Sequence, residues 1–419
     1  MLPWKTGLMR ILIYLVSLII CSPGIALGSD AIDFDGKIQA LAFGYLEKGD
    51  TKHQHYGEIQ FKPDITLYPS DVCLVASRFD VRQDTENYSH GYIDNVYEAQ
   101  HRYAVNINEL YLEAWKGYFN FKLGKQIFDW SKTDTISPND NSSTRDWTDI
   151  VEFERIGIPA INLRIGFDTF FEAVYMPWFS VSKLPDAENR WYPNLPVGMS
   201  LGKQEADESQ EQYAFRIGSV MSGFDLSAAY FHGYSYSPSY RLNIISASDI
   251  ELIPTYRIQD AYSISGAREF FSFNIRGEAG YFDQDRADDF FQYVIGIDRE
   301  WVALFSEIDS LYLLIQYMDE TVTNHDSPLP FDTIDFRRIL SDSIAWKSKY
   351  FFDPDTWTIQ IEGSYNFSDH DCYVQPSILF THSNIISEFG YCLFAGPEDS
   401  FWGSYDDNDR FYLKLTWLY

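Results

Sequence analysis

A chain of 419 residues with a net charge of −29 and a mean hydropathy of −0.26 is too polar on average for a helical membrane protein. Its acidity also argues against nucleic acid and other polyanions as partners of the outer surface. Aromatic residues nevertheless make up 17% of the chain. A polar chain rich in aromatics is typical of a membrane β-barrel, whose strands alternate and whose rims carry aromatic side chains. A soluble β-protein is the alternative at this point.

The N-terminal segment has the pattern of a secretory signal peptide. Lys5 and Arg10 form its basic part, residues 11–21 are a short apolar run, and a small-residue cleavage site follows. The run is too short for a spanning helix. We therefore predict a signal peptide at residues 1–28 and a single outer-membrane β-barrel domain at residues 29–419.

Alternating runs predict about eighteen strands along the mature chain. The clearest hairpins flank two-residue turns at 116–117, 167–168 and 222–223, two of which contain Gly. The approximate spans are 37–47, 56–68, 72–83, 103–115, 118–130, 160–166, 169–180, 212–221, 224–236, 251–264, 269–283, 290–299, 309–319, 336–349, 356–367, 371–380, 385–395 and 410–419.

The connections between these strands have a rhythm of length. Those after even-numbered strands are mostly short, and those after odd-numbered strands are mostly long. A soluble sandwich has no reason to sort its loops in this way, whereas an outer-membrane barrel has short periplasmic turns and long extracellular loops. The sequence therefore predicts an all-β fold, a transmembrane antiparallel up-and-down β-barrel of about 18 strands, with 16 as the alternative.

The last nine residues are the clearest single strand. Phe411, Leu413, Leu415, Trp417 and Tyr419 fall on one face, and a mostly polar set falls on the other. Nine residues suffice for a tilted strand to cross a bilayer. We predict that these five residues form the signal that the barrel-insertion machinery reads.

The inward faces of the predicted strands carry charges of both signs, which set ion and solute preference in a pore. The alternative is that these charges cross-link neighbouring strands and keep the lumen polar. Glu109, Glu113, Glu362 and Glu388 are among the inward anions. The pore-lining and constriction candidates are Lys122, Gln126, Asp134, Asp140, Arg145, Arg164, Glu172, Arg216, Arg257, Arg276, Glu278, Asp298 and Lys414.

The loop at residues 131–157 is the candidate constriction. It is rich in Asn, Asp and Ser, and Pro138 limits its mobility. Surface coil is the alternative. We predict that its part around residues 134–145 folds inward and narrows the pore together with Arg276 and Glu278 of the facing wall. The mixed charge predicts weak ion selectivity, tipped toward cations and fading with salt.

Motifs for chemistry are sparse. Three cysteines remain after signal cleavage, and their spacing matches neither a disulfide framework nor a metal site. Residues 198–202 match Gly-x-Ser-x-Gly, a short pattern that indicates a nucleophile only in a strand–turn–helix context, and no His-Glu-x-x-His motif is present. Asp369-His370-Asp371 offers metal-binding groups, but such a turn is more simply a solvated one. We predict no catalytic residues, no metal and no cofactor.

Several stretches together resemble alginate-export-type and related uncharacterised proteobacterial outer-membrane barrels. They are residues 110–130 (LYLEAWKGYFNFKLGKQIFDW), residues 172–185 (EAVYMPWFSVSKLP), residues 276–282 (RGEAGYF) and the last loop and strand. Ser137-Pro138-Asn139-Asp140 departs from the Asn-Pro-x-Asp-like loop of those relatives. The resemblance implies a barrel of roughly 16–18 strands that acts as a passive porin-like or export channel. The alginate exporters line their lumen heavily with Arg and Lys, and the mixed lumen here differs from theirs.

The expected function is therefore a porin-like channel in the outer membrane of a Gram-negative bacterium, passing a small or oligomeric polar or amphipathic solute. The expected partners are outer-membrane lipid, the insertion machinery and that solute, with the protein as a monomer. The alternative is a non-conducting barrel that acts as a surface-binding protein or an outer-membrane hydrolase.

Overall fold

The computed structural model describes residues 31–46, 54–85, 104–185, 187, 189–193, 195, 197–207, 209–246, 248–325, 341–353 and 356–419. The predicted signal peptide lies outside these residues. The strands are β1 Ile32–Tyr45, β2 His55–Ser70, β3 Cys73–Asp84, β4 Val105–Lys116, β5 Phe119–Gln126, β6 Thr144–Arg145, β7 Arg155–Ile156, β8 Ile158–Gly166, β9 Thr169–Met176, β10 Met199–Leu201, β11 Gln212–Met221, β12 Phe224–Tyr234, β13 Ser239–Ser246, β14 Asp249–Thr255, β15 Ile258–Phe270, β16 Phe273–Gln284, β17 Asp289–Val302, β18 Ser310–Asn324, β19 Ser343–Asp353, β20 Trp357–Asn366, β21 Cys372–His382, β22 Ile385–Ala395 and β23 Arg410–Leu418.

Eighteen of these strands form one closed antiparallel barrel. Each barrel strand pairs with the next barrel strand in the chain, and β23 returns to pair with β1 from Lys37 opposite Leu418 to Tyr45 opposite Arg410. Closure leaves no strand edge with unpaired backbone groups. The predicted up-and-down barrel of about 18 strands is confirmed, and the alternative of 16 strands is excluded.

The connections at the two rims of the barrel differ in length. Eight connections are short and lie at one end, which we call the short-turn rim: 71–72, 117–118, 167–168, 222–223, 271–272, 303–309, 354–356 and 383–384. The long connections lie at the other end, the long-loop rim, which also carries two short connections, 285–288 and 367–371. The barrel begins at Ile32 and ends at Leu418, and both residues lie at the short-turn rim.

The wall alternates between an apolar outer face and a buried inner face. In β17, Phe291 and Ile295 are exposed on the outside, whereas Gln292 and Asp298 are buried on the inside. The last strand follows the same rule, with its apolar positions outward, as predicted; these are Phe411, Leu413, Leu415 and Trp417. An apolar outer face with a polar interior is typical of membrane barrels.

The long-loop rim carries additional structure that the sequence did not indicate. β10, β13 and β14 form a small separate sheet, β6 pairs with β7, and Gly403–Asn408 is a 3-10 helix in the last loop. Among the described residues, no helix has both the length and the apolar character needed to cross a membrane.

The predicted strand 251–264 is two strands in the structure. β14 belongs to the small sheet, and the barrel strand β15 begins only at Ile258. Alternation continues across the junction, and the only local sign of a break is Pro254, which lacks a backbone donor. Arg257 therefore lies in the connection between the two strands, and its predicted place on the barrel wall is wrong.

Part of the inner wall is apolar, contrary to the expectation of a polar lumen face. On β8 to β17, nine inward residues pack around two aromatic side chains of the loop after β5. The cluster comprises Phe128, Trp130, Ile158, Ala160, Val174, Met176, Ala214, Phe231, Ala261, Phe282 and Phe290. The interior on this side is a protein core and not a water-filled surface.

Candidate functional site in the barrel interior

The loop after β5, residues 127–157, folds into the barrel; we call it the inward loop. The Ile127 N–H donates to Glu109 Oε1 on β4 at 3.0 Å. Phe128 and Trp130 then enter the apolar cluster on the inner wall. Burial of each aromatic side chain contributes about 1.5–3 kcal/mol, so the start of the loop is fixed to the barrel by packing.

A single carboxylate on the wall holds the next part of the loop. Glu278 on β16 is 3% exposed and accepts hydrogen bonds from the backbone N–H groups of Lys132, Thr133 (3.0 Å) and Asn139 (3.3 Å). The Ser137 hydroxyl donates to the same carboxylate. An ionised carboxylate offers about four acceptor sites, and here four donors of the loop converge on it.

Arg276, two residues before Glu278, makes a second attachment. Its guanidinium pairs with Asp134 of the loop at 2.8 Å, donates to the Lys132 carbonyl oxygen at 3.1 Å and pairs with Asp298 on β17. The structure thus brings the loop, Arg276 and Glu278 together. Arg276 and Glu278 bind the loop and not each other, and Glu278 faces protein and not open lumen.

Asp140 and Arg145 lie inside the fold of the inward loop. The Asp140 carboxylate pairs with Arg145 and with Arg155 Nε, the latter at 2.8 Å. The Arg145 guanidinium also lies over the rings of Phe153 (4.8 Å) and Tyr236 (5.6 Å). Asp140 and Arg145 are only 2% and 7% exposed. Both were expected to line the pore, but their burial places them where they shape the loop.

The far end of the inward loop reaches the opposite side of the barrel. Glu154 pairs with Lys62 on β2 at 2.7 Å and with Arg82 on β3. Asp149 accepts from Arg410 on β23 at 3.4 Å. Glu278 and Arg276 hold the loop on β16, and Asn139 and the Asp134 N–H bond to Ser265 on β15 and to Gln316 on β18. The loop therefore crosses the interior from this wall to the wall of β2, β3 and β23.

A second long loop, residues 177–211, crosses the long-loop rim; we call it the mouth loop. Arg190 Nε donates to Asn408 Oδ1 at 3.0 Å, and the Trp191 ring packs edge-on against Tyr405 at 5.5 Å. Burial raises the pKa of the Tyr405 phenol, which stays neutral and donates to the Trp191 carbonyl oxygen at 3.4 Å. The mouth loop is therefore joined to the 3-10 helix of the last loop on the opposite side.

A polar cavity of about 340 Å³ remains between the inward loop and the wall formed by β1 and β20 to β23. Lys37 and Lys414 contribute cations to its lining, Glu362 and Glu388 contribute anions, and Gln375 lies among them. Lys414, which was predicted to line the pore from the last strand, lies at this cavity.

Local partners balance part of the charge around the cavity. Lys347 on β19 pairs with Glu362 at 2.6 Å, and the Tyr412 hydroxyl donates to Glu388 at 2.7 Å. On the loop side the lining includes Glu152 and Glu154. The cavity thus presents both signs of charge with a small excess of carboxylates.

Five further predicted residues face the interior from β5, β8, β9 and β11, and each contacts neighbouring groups. The contacts are Lys122 with Glu113 (3.3 Å), Gln126 with the Ala160 carbonyl oxygen (3.0 Å), Arg164 over the Phe170 ring (3.6 Å), Glu172 with Asn162 (2.9 Å) and Arg216 over the Trp130 ring (5.6 Å). Their role in solute passage stays a prediction.

Sequence reasoning missed part of the cavity lining. The parity of the predicted strands was enough to place Lys37 and Gln375 inward, because both lie on alternating runs. Glu152 and Glu154 had no such signal, since a loop has no period of two. Only the docking of the inward loop brings their carboxylates toward β1.

Possible metal ligands and cysteines are dispersed over the described residues. No group of three His, Cys, Asp or Glu side chains in these parts of the chain is arranged to hold a metal ion. Asp371, from the metal-like triplet, accepts the Trp402 N–H at 2.7 Å. Cys73, Cys372 and Cys392 are free thiols.

One histidine pairs with a carboxylate on the outer face. His232 Nδ1 lies 2.8 Å from Asp260 Oδ1, and the Tyr230 hydroxyl donates to the same oxygen at 2.6 Å. Within the described part of the chain, no serine hydroxyl bonds to this histidine.

Comparisons with known proteins add only distant structural similarities. No protein-family model matches the chain, and no curated protein matches it. OmpT of Vibrio cholerae is 11% identical with a TM-score of 0.44, covering 94% of this chain and 99% of that one. A mutant of the Rh. blastica porin (9%, 0.43) covers 93% and 100%. OmpF of Salmonella typhi, solved with daunomycin (10%, 0.43), covers 93% and 97%. The resemblance to alginate-export-type barrels is not confirmed.

Proposed function

We propose that the protein is an outer-membrane channel through which small polar solutes diffuse without a chemical step. The observation that carries this proposal is the cavity between the inward loop and β1 with β20 to β23. It is polar, it lies on the inner face of a closed barrel, and it is lined by side chains of both charges.

The outer wall supports the membrane location. Exposed apolar side chains alternate with buried inward ones, and closure gives every barrel strand two hydrogen-bonded neighbours. Only helices and closed barrels satisfy their backbone groups in lipid. The short-turn rim then faces the periplasm and the long-loop rim faces the outside. Cleavage of the signal, recognition of the last strand and a monomeric state are parts of this proposal.

The charge of the cavity supports a preference for neutral or zwitterionic polar solutes. Lys37 and Lys414 stand near Glu362 and Glu388, so neither a polyanion nor a polycation meets a wall of one opposite sign. A small excess of carboxylates adds a weak preference for cations over anions. Export of a polyanion finds no support in this lining.

A blocking substitution tests whether solutes use this cavity. Gln375→Trp should slow the swelling of proteoliposomes in neutral sugars, because the larger side chain would fill the cavity. Val374→Trp is the matched control: the neighbouring residue of β21 faces outward and should leave the rate unchanged. Wild-type vesicles that do not swell would overturn the channel. Equal rates in wild type and Gln375→Trp would place the path elsewhere.

A further inference from the structure

A long concavity lies on the outer wall of the barrel. A groove of about 790 Å³ runs along β11 to β17. Small residues form its floor: Gly266 on β15 lies directly opposite Gly277 on β16. Leu226 and Ile295 continue this row on either side, and both are at least half exposed. The groove is therefore a recess in the apolar surface that faces lipid.

An arginine lies beyond the end of this groove that is closer to the short-turn rim. Arg268 lies two residues beyond Gly266 on the same face of β15, about 7 Å closer to the short-turn rim. Its guanidinium lies 4.1 Å from the centre of the Phe224 ring. Arg268 is exposed and has no ion pair with any described residue.

A second arginine faces the same surface two strands away. The guanidinium of Arg299 on β17 lies between the rings of Phe273 (4.7 Å) and Trp301 (5.0 Å). Its Nε is fully buried without a hydrogen-bond partner. Strand spacing places the two Cα atoms about 10 Å apart around the wall, and the strand register places Arg299 about 7 Å closer to the short-turn rim than Arg268. Arginines stacked on interfacial aromatics extend their heads to the level of the lipid headgroups.

We propose that this groove binds one anionic phospholipid of the periplasmic leaflet. An acyl chain would lie over Gly266 and Gly277, and the phosphate would accept hydrogen bonds from Arg268 and Arg299. Charge complementarity selects the occupant, because two guanidinium groups that make no ion pair with a described residue lie beyond the end of an otherwise apolar groove. This inference rests on the membrane orientation given above and not on conduction through the barrel.

Native mass spectrometry of the detergent-purified full-length protein tests the proposal. The probes are phosphatidylglycerol and phosphatidylethanolamine with identical acyl chains. Wild type should retain one phosphatidylglycerol in preference to phosphatidylethanolamine. Arg268→Gln with Arg299→Gln should weaken phosphatidylglycerol binding by about tenfold or more. Lys116→Gln is the matched control, since it removes an exposed cation from the same rim away from the groove.

Filling the floor tests the acyl-chain part of the site. A Cβ at Gly277 would meet only the Val294 carbonyl oxygen, at 3.5 Å, so Gly277→Val fits the strand while occupying the groove. Both lipids should be lost from this variant, with heat-modifiable mobility on gels unchanged. Glycerol phosphate and inorganic phosphate should not displace the lipid.

Three results would overturn the proposal. One is equal retention of the two lipids by the wild type. Another is undiminished phosphatidylglycerol binding in the double arginine variant. The third is a different occupant: displacement by lipid A, or a dimer that Gly277→Val converts to a monomer. None of these readouts depends on solute passage, so they stay separate from the test of the channel.

Discussion

Glu278 is the residue on which the position of the inward loop depends most. Its buried carboxylate receives three backbone N–H groups and one hydroxyl, all from a segment of eight residues, 132–139. Each hydrogen bond to a charged group contributes about 1.5–3 kcal/mol. A buried carboxylate left without these donors would be strongly unfavourable. The wall and the loop therefore stabilise each other.

Glu278→Gln should release the loop without preventing barrel assembly. The amide nitrogen would face N–H donors, so half of the acceptor capacity is lost at nearly constant volume. We expect higher and more variable single-channel conductance with normal heat-modifiable mobility. Glu113→Gln is the control, because this inward carboxylate contacts Lys122 and Asn120 but not the loop. Identical conductance of Glu278→Gln and wild type would show that other contacts suffice to hold the loop.

The Asp371 carboxyl at the long-loop rim should make the thermal stability of the protein depend on pH. Burial raises the pKa of its carboxyl above the ordinary value of about 3.9. The folded state thus favours the protonated acid, and this contribution to stability is lost as pH rises through the raised pKa. Asp371→Asn keeps an acceptor for the Trp402 N–H and should gain thermal stability relative to wild type between about pH 4 and pH 7.

The midpoint temperature of heat-modified mobility, measured at both pH values, checks this prediction. Asp369→Asn removes an exposed charge that contributes less than burial to the raised pKa of Asp371, so it should show a much smaller dependence. The prediction is wrong if Asp371→Asn loses stability relative to wild type as pH rises from 4 to 7. The last loop would then require the ionised carboxylate.

At the scale of elements, β23 is the strand that completes the barrel. It pairs with β22 on one side and with β1 on the other. Deletion of residues 411–419 should prevent assembly, because it opens two edges and removes the predicted insertion signal. The readout is heat-modifiable mobility in outer-membrane fractions. The double variant Trp417→Ala with Tyr419→Ala keeps β23 and removes only aromatic side chains. It therefore tests the insertion signal separately from closure of the barrel. Normal mobility of the deleted chain would contradict both roles.

Alternation and loop rhythm were sufficient to predict the barrel, because a two-sided wall imposes a period of two on every strand. The period of two does not predict the apolar patch on the inner wall, where β9 ends in Val174 and Met176 on its inward face. By parity these side chains share the inward face of Glu172, which was predicted to line the pore. Their burial depends on Phe128 and Trp130, which come from a loop. The partners of Asp140 and Arg145 were likewise unpredictable, since the loop bonds mainly to itself there.

At the scale of the whole molecule, two loops divide the interior into a packed side and a polar side. The inward loop joins β15 to β18 with β2, β3 and β23. The mouth loop joins the 3-10 helix on the opposite side of the long-loop rim through Trp191. The apolar cluster occupies one side, and the cavity of about 340 Å³ lies on the other. Solute passage should therefore follow the β1 and β20 to β23 wall.

Single-channel recording in planar bilayers tests this account most directly, with wild type compared with a chain that lacks residues 134–145. We expect discrete openings in wild type with a weak cation preference that fades as salt rises. The deletion should increase the size of each step, because it removes the segment that fills the barrel in front of Glu278. A correctly folded wild-type barrel that never opens, or a deletion with unchanged steps, would contradict it.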